Sequence, residues 1–354
     1  MNRFIFTILV MFCLNGFGAE GPQLKLEEVM SVIRTNMTDV SEGELNRAAA
    51  AGLIRELGPR VELVTSTNEG AGIEDSRRNE NAAAEPISKT AVYHDKFGYV
   101  RIGSVDERLT NVFSRTLTQL LGSNKLAGIV LDLRFAGGTN YQAAAHAADE
   151  FVRGGEPLVR LGEVRISGTD RAADIRQPVA VLVNGETRAA AEALAGILRE
   201  SAAALVIGSK TAGEARLYET FTLSTGQRLR VGKVPIEVGR GKVLPATGMV
   251  PDIEVRIGLE AERAYYEDAY LSRRTVASTG GNISTNGTVD APNPFNEAEL
   301  VRRHRAGEDI ERISTPGTAG ANGARAAEAS VITDPALGRA LDFLKGLSIV
   351  GPRR

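Results

Sequence analysis

The chain has 354 residues, 43% of them apolar and 24% charged, with a formal net charge of -2 at pH 7. That length suits one large domain with appendages or two small ones, and the composition is that of a soluble globular protein. The near-neutral charge, the absence of Trp and an aromatic content of 5% argue against a nucleic-acid surface or an aromatic carbohydrate cleft.

The N-terminus reads "MNRFIFTILVMFCLNGFGAEG": Arg3, an apolar run from Phe4 to Leu14, then small residues. This is the plan of a secretory signal peptide, and the run is too short for a stable transmembrane helix. We expect residues 1–19 to be removed and the protein to be exported, periplasmic or extracellular, with no stable membrane span left. The single cysteine, Cys13, lies in that segment. The mature chain is then cysteine-free, which excludes disulfides, thiolate catalysis and Cys–zinc sites.

Residues 24–64 are expected to be helical, with a break at Thr38 to Glu42. Leu26, Val29, Val32 and Ile33 follow helical spacing, as do Leu45, Ala49, Leu53 and Leu57, before the stop at Gly58-Pro59. Residues 65–90 turn polar and read as a flexible linker. A core over 91–258 follows. Strands are expected in "FGYVRIGSV", "LAGIVLDLR", "PVAVLVN" and "ALVIGS". Helices are expected over Arg108–Leu121, Asn140–Arg153 and an alanine-rich run ending near Ser201. "YETFTLSTGQRLRVGKVPIEV" alternates like a hairpin turning at Ser224 to Gly226. Strands alternating with helices predict an α/β domain whose strands are packed on both faces.

Residues 259–354 form a C-terminal extension. Within it, 272–332 is rich in Gly, Ser, Thr, Asn and Ala and is expected to be largely disordered, apart from a short helix in "NEAELVRRHR". The basic run Arg302-Arg303-His304-Arg305 with its neighbouring acids reads as a solvated mixed-charge face. A terminal helix over 334–347 starts at Asp334-Pro335, an N-cap followed by Pro in the first turn.

Two segments have the form of functional turns. In "LDLRFAGGTN" a strand ends in Gly137-Gly138 before a helix. Both glycines can take positive φ and aim N–H groups into a cleft, where they would hold phosphate or an oxyanion; the alternative is a plain strand-to-helix turn. "GSKT" at Gly208 to Thr211 lacks the order of a phosphate loop. In "VLVNGETRAAAEALAG" a buried strand meets a turn at Asn184-Gly185 and then a helix. A nucleophile often stands at such a helix start, yet this one offers Ala189, Ala190 and Ala191.

Taken in order, "GYVRI", "GIVLDLRFAGGT", "PVAVLVNGETRAAAEALAG", "VIGSKTAGEA", "TLSTGQRLRV" and "GMVPDIEV" resemble the C-terminal processing (tail-specific) serine peptidases. The resemblance implies a ClpP/crotonase-like α/β core with helical extensions. In that family the nucleophile turn reads close to N-G-G-S-A-S-A-S-E, with the middle serine attacking. The general base is a lysine twenty-five residues later, in a segment like G-E-K-T-F-G-K-G. Asn184-Gly185 and Glu192 fix the first register and put the nucleophile position on Ala189. Gly208, Lys210-Thr211 and Gly213 fix the second and put the base position on Glu214, twenty-five residues on. Gly137 or Gly138 with the Ala190 N–H matches the family's oxyanion hole, and Glu192 matches a residue near its dyad.

The resemblance thus implies a degenerate member, because Ala189 carries no oxygen to attack a carbonyl and Glu214 has no nucleophile to serve. The family's PDZ domain also lacks room, since only about thirty residues, roughly 60 to 92, separate the N-terminal helices from the core. The expected function is binding of peptide or unfolded protein segments in the former cleft, with no cofactor and no metal, and no nucleic-acid partner. Two alternatives are an active serine-type endopeptidase and a carrier of apolar small molecules, as the interphotoreceptor retinoid-binding proteins are on the same fold. An active enzyme would need a substitute pair such as Thr187 with Lys210. An ion pair between Arg188 and Glu214 is expected to fill the old dyad. His94, His146 and His304 form no recognisable triad or metal pattern.

Overall fold

The structure is a computed structural model, and it describes residues 24–64, 84–170, 175–271 and 332–350. The segment expected to be a signal peptide, the whole of "NEAELVRRHR" and the basic run Arg302-Arg303-His304-Arg305 lie outside these residues. So do most of the polar linker and nearly all of 272–332. Two compact units divide the chain, Met1–Gly58 and Pro59–Arg354.

In the first unit, α1 (Leu26–Asn36) and α2 (Glu42–Leu57) follow one another. A capping box starts α2: the Ser41 hydroxyl accepts from the Glu44 N–H, and the Glu44 carboxylate accepts from the Ser41 N–H. Arg34 at the end of α1 pairs with Glu42 at 2.6 Å.

The second unit is built on a six-stranded sheet. Its strands are β2 (Ile87–Tyr93), β3 (Phe97–Ile102), β4 (Gly128–Asp132), β7 (Val179–Val183), β8 (Ala204–Gly208) and β13 (Ile253–Glu254). They lie side by side in the order β13-β8-β7-β4-β3-β2. All pairs are parallel except β2 with β3. Strand period two divides their apolar residues between two cores. Ile129, Leu131, Val179, Val181 and Val183 face α3 (Leu109–Ser123), α4 (Tyr141–Asp149) and α5 (Ala190–Glu200). Val130, Ala180 and Leu182 face α7 (Pro335–Val350), which contributes Ala336, Leu337, Ala340, Leu341 and Leu344. The continuous apolar strands therefore form the middle layer of an α/β fold.

Two smaller sheets attach to this core. β5 (Pro157–Leu161) and β6 (Val164–Ser167) form a hairpin continued by β11 (Glu237–Val238) and β12 (Lys242–Val243). β1 (Val61–Val64), β10 (Arg228–Pro235) and β9 (Arg216–Thr222) form a three-stranded antiparallel sheet with β9 at one edge.

Three boundaries differ from the sequence reading. Val61–Val64 falls in the region expected to be helical but pairs with Arg228–Val231 as a strand, because Val61 and Leu63 find Val231 and Leu229 opposite them. Ile87–Thr90, in the expected linker, belongs to β2 and bonds to β3. In the extension, α6 (Leu259–Glu267) is a helix that the sequence reading does not identify, and it buries Glu262 and Tyr265.

Candidate active site

β7 runs through the middle of the sheet and delivers the chain to Asn184. Asn184 is buried, and its side chain organises the turn. Its carbonyl oxygen accepts from the N–H groups of Phe135 (3.1 Å) and Glu186 (3.0 Å), and its amide donates to Glu262 at 3.1 Å. The Thr187 hydroxyl donates to the Leu133 carbonyl at 2.8 Å and accepts from the Asn184 N–H at 2.9 Å. Thr187 is fully buried and committed to these bonds, so it is no substitute nucleophile; Lys210 is exposed.

Ala189 follows with φ 51° and ψ -115°. A non-glycine residue in this region is strained, and strained strand-to-helix turns of this kind present nucleophiles on hydrolase sheets. α5 starts at the next residue. The turn is zipped to the glycine loop: the Arg188 N–H donates to the Ala136 carbonyl at 3.0 Å and the Ala190 N–H to the Gly138 carbonyl at 3.1 Å. The Ala190 N–H expected in an oxyanion hole is therefore spent on Gly138. Gly138 alone of the glycine pair has positive φ (124°), and a Cβ there would drive into the Val105 backbone. Gly137 instead bridges to Ser104, its carbonyl accepting from the Val105 N–H at 2.9 Å.

Glu192, in the first turn of α5, ties the site together. It is buried, and its two carboxylate oxygens accept four hydrogen bonds. One oxygen takes the Thr211 hydroxyl (2.6 Å) and the Gly213 N–H (2.7 Å); the other takes the N–H groups of Glu214 (2.7 Å) and Ala189 (2.9 Å). The two positions that the resemblance assigns to nucleophile and base are thus joined through their backbone N–H groups at a single oxygen, which the sequence spacing alone does not show. Burial pushes the Glu192 carboxyl up, against the pull of these four donors. Thr211 in turn accepts from the Met249 N–H at 2.8 Å. Gly213 has φ 82°, leaving no room for a side chain against Ala246 and Gly248.

The expected ion pair between Arg188 and Glu214 does not form. Arg188 is bound to Glu186, two residues before it on the same turn and so always within reach. Glu214 is half-buried, and its backbone, not its carboxylate, makes the bond to Glu192. His94 lies in a turn between strands and His146 in α4, and His304 is outside the described residues. Among the described residues no group of three His, Cys, Asp or Glu side chains could hold a metal ion.

Beneath the turn lies a buried charge network. Arg134 at the end of "LDLR" pairs with Asp132 at 2.7 Å and Asp334 at 2.8 Å, with Glu262 at 4.0 Å. Tyr99 donates to Asp132 at 2.7 Å. Burial alone would raise the Asp132 carboxyl, but the adjoining guanidinium holds it below the usual carboxylate range. Glu262 has weaker help, and burial pushes it up to about 6. Asp334 also caps α7 by accepting from the Ala336 and Leu337 N–H groups, so the network fastens the terminal helix to the strand that leads into the glycine loop.

A cavity of about 190 Å³ opens beside Ala189, with Thr139, Tyr141, Arg216, Tyr218, Thr220 and Arg230 in its wall. Arg216, Tyr218 and Thr220 belong to the edge strand β9, which passes over the site. Tyr141 donates to the Arg216 carbonyl at 3.0 Å and Tyr218 to the Pro59 carbonyl at 3.2 Å. Burial pushes Tyr218 up to about 12 and Tyr141 higher, so both phenols are neutral.

Comparison with known proteins agrees with this architecture. Residues 96–255 match the model of peptidase family S41. The chain is 29% identical over 180 residues to the chloroplastic C-terminal processing peptidase of Tetradesmus obliquus, covering 49% of this chain and 38% of that protein. It is 23% identical over 281 residues to the carboxy-terminal processing protease CtpA of Bacillus subtilis, covering 78% and 59%. A solved structure of a candidate peptidase from Parabacteroides merdae superposes with a TM-score of 0.51 at 18% identity, covering 68% of this chain and 85% of that one, and so shares the fold. The chain spans about two fifths to three fifths of the length of these curated relatives. The parallel sheet, the strained turn after β7 and the matching segments together make residues 96–255 a domain of peptidase family S41, that of the C-terminal processing peptidases.

Proposed function

We propose that this protein is a catalytically inactive member of its family that binds extended peptide or unfolded protein segments in the former active-site cleft. The observation that carries the reading is the pair Ala189 and Glu214. Their backbone N–H groups meet at one oxygen of Glu192, yet their side chains offer a methyl group and a carboxylate. Loss of a protease nucleophile lowers turnover by on the order of a millionfold. A carboxylate at the base position also disfavours a developing oxyanion. Support for peptide binding comes from β9, an edge strand of its sheet whose residues Arg216, Leu217, Tyr218 and Thr220 line the cavity at Ala189; an edge strand suits strand addition.

The apolar run from Phe4 to Leu14 supports export. No helix among the described residues is long and apolar enough to cross a membrane. The length between α2 and β2 supports the lack of an inserted PDZ domain.

The test compares wild type with the double substitution Ala189→Ser, Glu214→Lys on an unfolded protein substrate. The double variant is expected to cleave it and the wild type to leave it intact. Hydrolysis by the wild type at a rate comparable to the double variant would refute the reading.

A further inference from the structure

We propose that the cavity beside Ala189 is a carboxylate pocket. An extended segment in the cleft is anchored there by an acidic side chain or by its own terminal carboxylate. The inference rests on the peptide-binding reading above and specifies its ligand.

The lining carries the argument. The charged groups on the cavity wall are the guanidinium groups of Arg216 and Arg230, and no carboxylate is among the lining residues. Arg216 donates its Nε to the Gly232 carbonyl at 2.9 Å, which fixes the side chain, and among the described residues it has no carboxylate partner. Arg230 lies over the Tyr218 ring at 3.6 Å and reaches Glu62 at 3.6 Å, so the stack orients it. Tyr141 and Tyr218 spend their hydroxyl protons on backbone carbonyls and stay neutral, adding no competing negative charge. Thr139 and Thr220 add hydroxyl donors.

The nearby acids do not fill this role. The oxygens of Glu192 are taken up by four donors. Glu62 is drawn to Arg230, and Glu214 flanks the cavity without lining it. A volume of about 190 Å³ has room for a short acidic side chain. An apolar group placed there would desolvate the Arg216 guanidinium without pairing it, which a carboxylate avoids through charge-assisted hydrogen bonds.

The test uses the full chain and four ten-residue peptides of one sequence. Three are C-terminally amidated and carry Glu, Gln or Leu at the centre; the fourth is the Gln peptide with a free C-terminus. Binding is read by calorimetry. The proposal expects the Glu peptide, the free-terminus peptide or both to bind at least about tenfold more tightly than the amidated Gln peptide. Which of the two gains identifies the source of the carboxylate. The preference should vanish in Arg216→Gln, while Arg216→Lys, which keeps the charge, retains part of it and separates lost recognition from lost folding. Equal binding of all four peptides overturns the carboxylate pocket and leaves the peptide groove standing. A preference unchanged in both Arg216→Gln and Arg230→Gln also overturns it. If no peptide binds wild type at millimolar concentration, the groove reading itself fails.

Discussion

Ala189 offers a direct measurement of what the strained turn after β7 costs. At φ 51° and ψ -115° its Cβ is crowded against its own backbone, a conformation that costs on the order of 1–3 kcal/mol for a non-glycine residue. Glycine takes this region freely, so Ala189→Gly should release most of that strain. Two terms oppose the gain. The unfolded chain with Gly is more disordered by roughly 0.5–1 kcal/mol, and the half-buried methyl gives up about half of the ~0.8 kcal/mol of a buried CH₂. Ala is also a poor N-cap where Gly is a fair one, which favours the variant. The expected result is a net stabilisation of about 1 kcal/mol, or roughly 2–4 °C in Tm. Urea denaturation with unchanged m-value would measure it. Ala191→Gly is the control: it is buried within α5, and the same change there should destabilise by about 1 kcal/mol or more. If Ala189→Gly destabilises as Ala191→Gly does, the strain argument is wrong.

Three other outcomes follow from the hydrogen-bond network and the buried charges. Glu192→Gln should lower stability by about 2–4 kcal/mol in a melting experiment, because the carboxamide nitrogen must face donors that now meet an oxygen. Arg134→Met should cost about 3–5 kcal/mol at pH 7 by leaving Asp132 and Asp334 buried and unpaired, and less at pH 4, where those carboxyls can take protons; denaturation at the two pH values checks this. Glu262 has a folded-state pKa of about 6, above its unfolded value, so its contribution is fully present below pH ~4.5 and is lost as pH rises through 6. Wild type should therefore lose on the order of 1–2 kcal/mol relative to Glu262→Gln between pH 4.5 and 7, and an identical pH dependence of stability in the two proteins would refute this.

The parts that are legible in the sequence are those where one local pattern decides the outcome. "IVL" in β4 and "VAVLV" in β7 are apolar at every position, and such strands require cover on both faces, which α5 and α7 provide. Asp334-Pro335 marks the start of α7 because a cap and a proline act within one turn. Flanking residues set the expected register of Ala189 and Glu214, whose backbone N–H groups both donate to Glu192. What stays hidden depends on distant partners. Val61–Val64 becomes a strand only because β10 lies beside it, and α6 holds Glu262 near Asn184 across 78 residues. Arg188 pairs with Glu186 rather than Glu214 because a neighbour on the same turn outcompetes a partner whose approach the fold must arrange. The spent Ala190 N–H is unreadable for the same reason, since sequence cannot say which way the Gly138 carbonyl points.

The turn keeps its shape because the groups that hold it are not the groups that would do chemistry. Ala189 and Glu214 each give a backbone N–H to Glu192, and neither bond uses their side chains. Asn184, Thr187 and Glu192 supply the side-chain bonds, and all three are buried. On the proposed register, replacing a serine and a lysine at these positions by other residues would therefore remove hydrolysis and leave the architecture in place. The same separation makes the double substitution Ala189→Ser, Glu214→Lys a change in chemistry alone, since it breaks none of these bonds. On the proposed register, an oxyanion in that variant would draw on the Ala190 N–H, which now donates to the Gly138 carbonyl. A bound segment must displace that carbonyl before its own can take the place. Gly138, at a φ that other residues rarely adopt, is where the loop would have to turn.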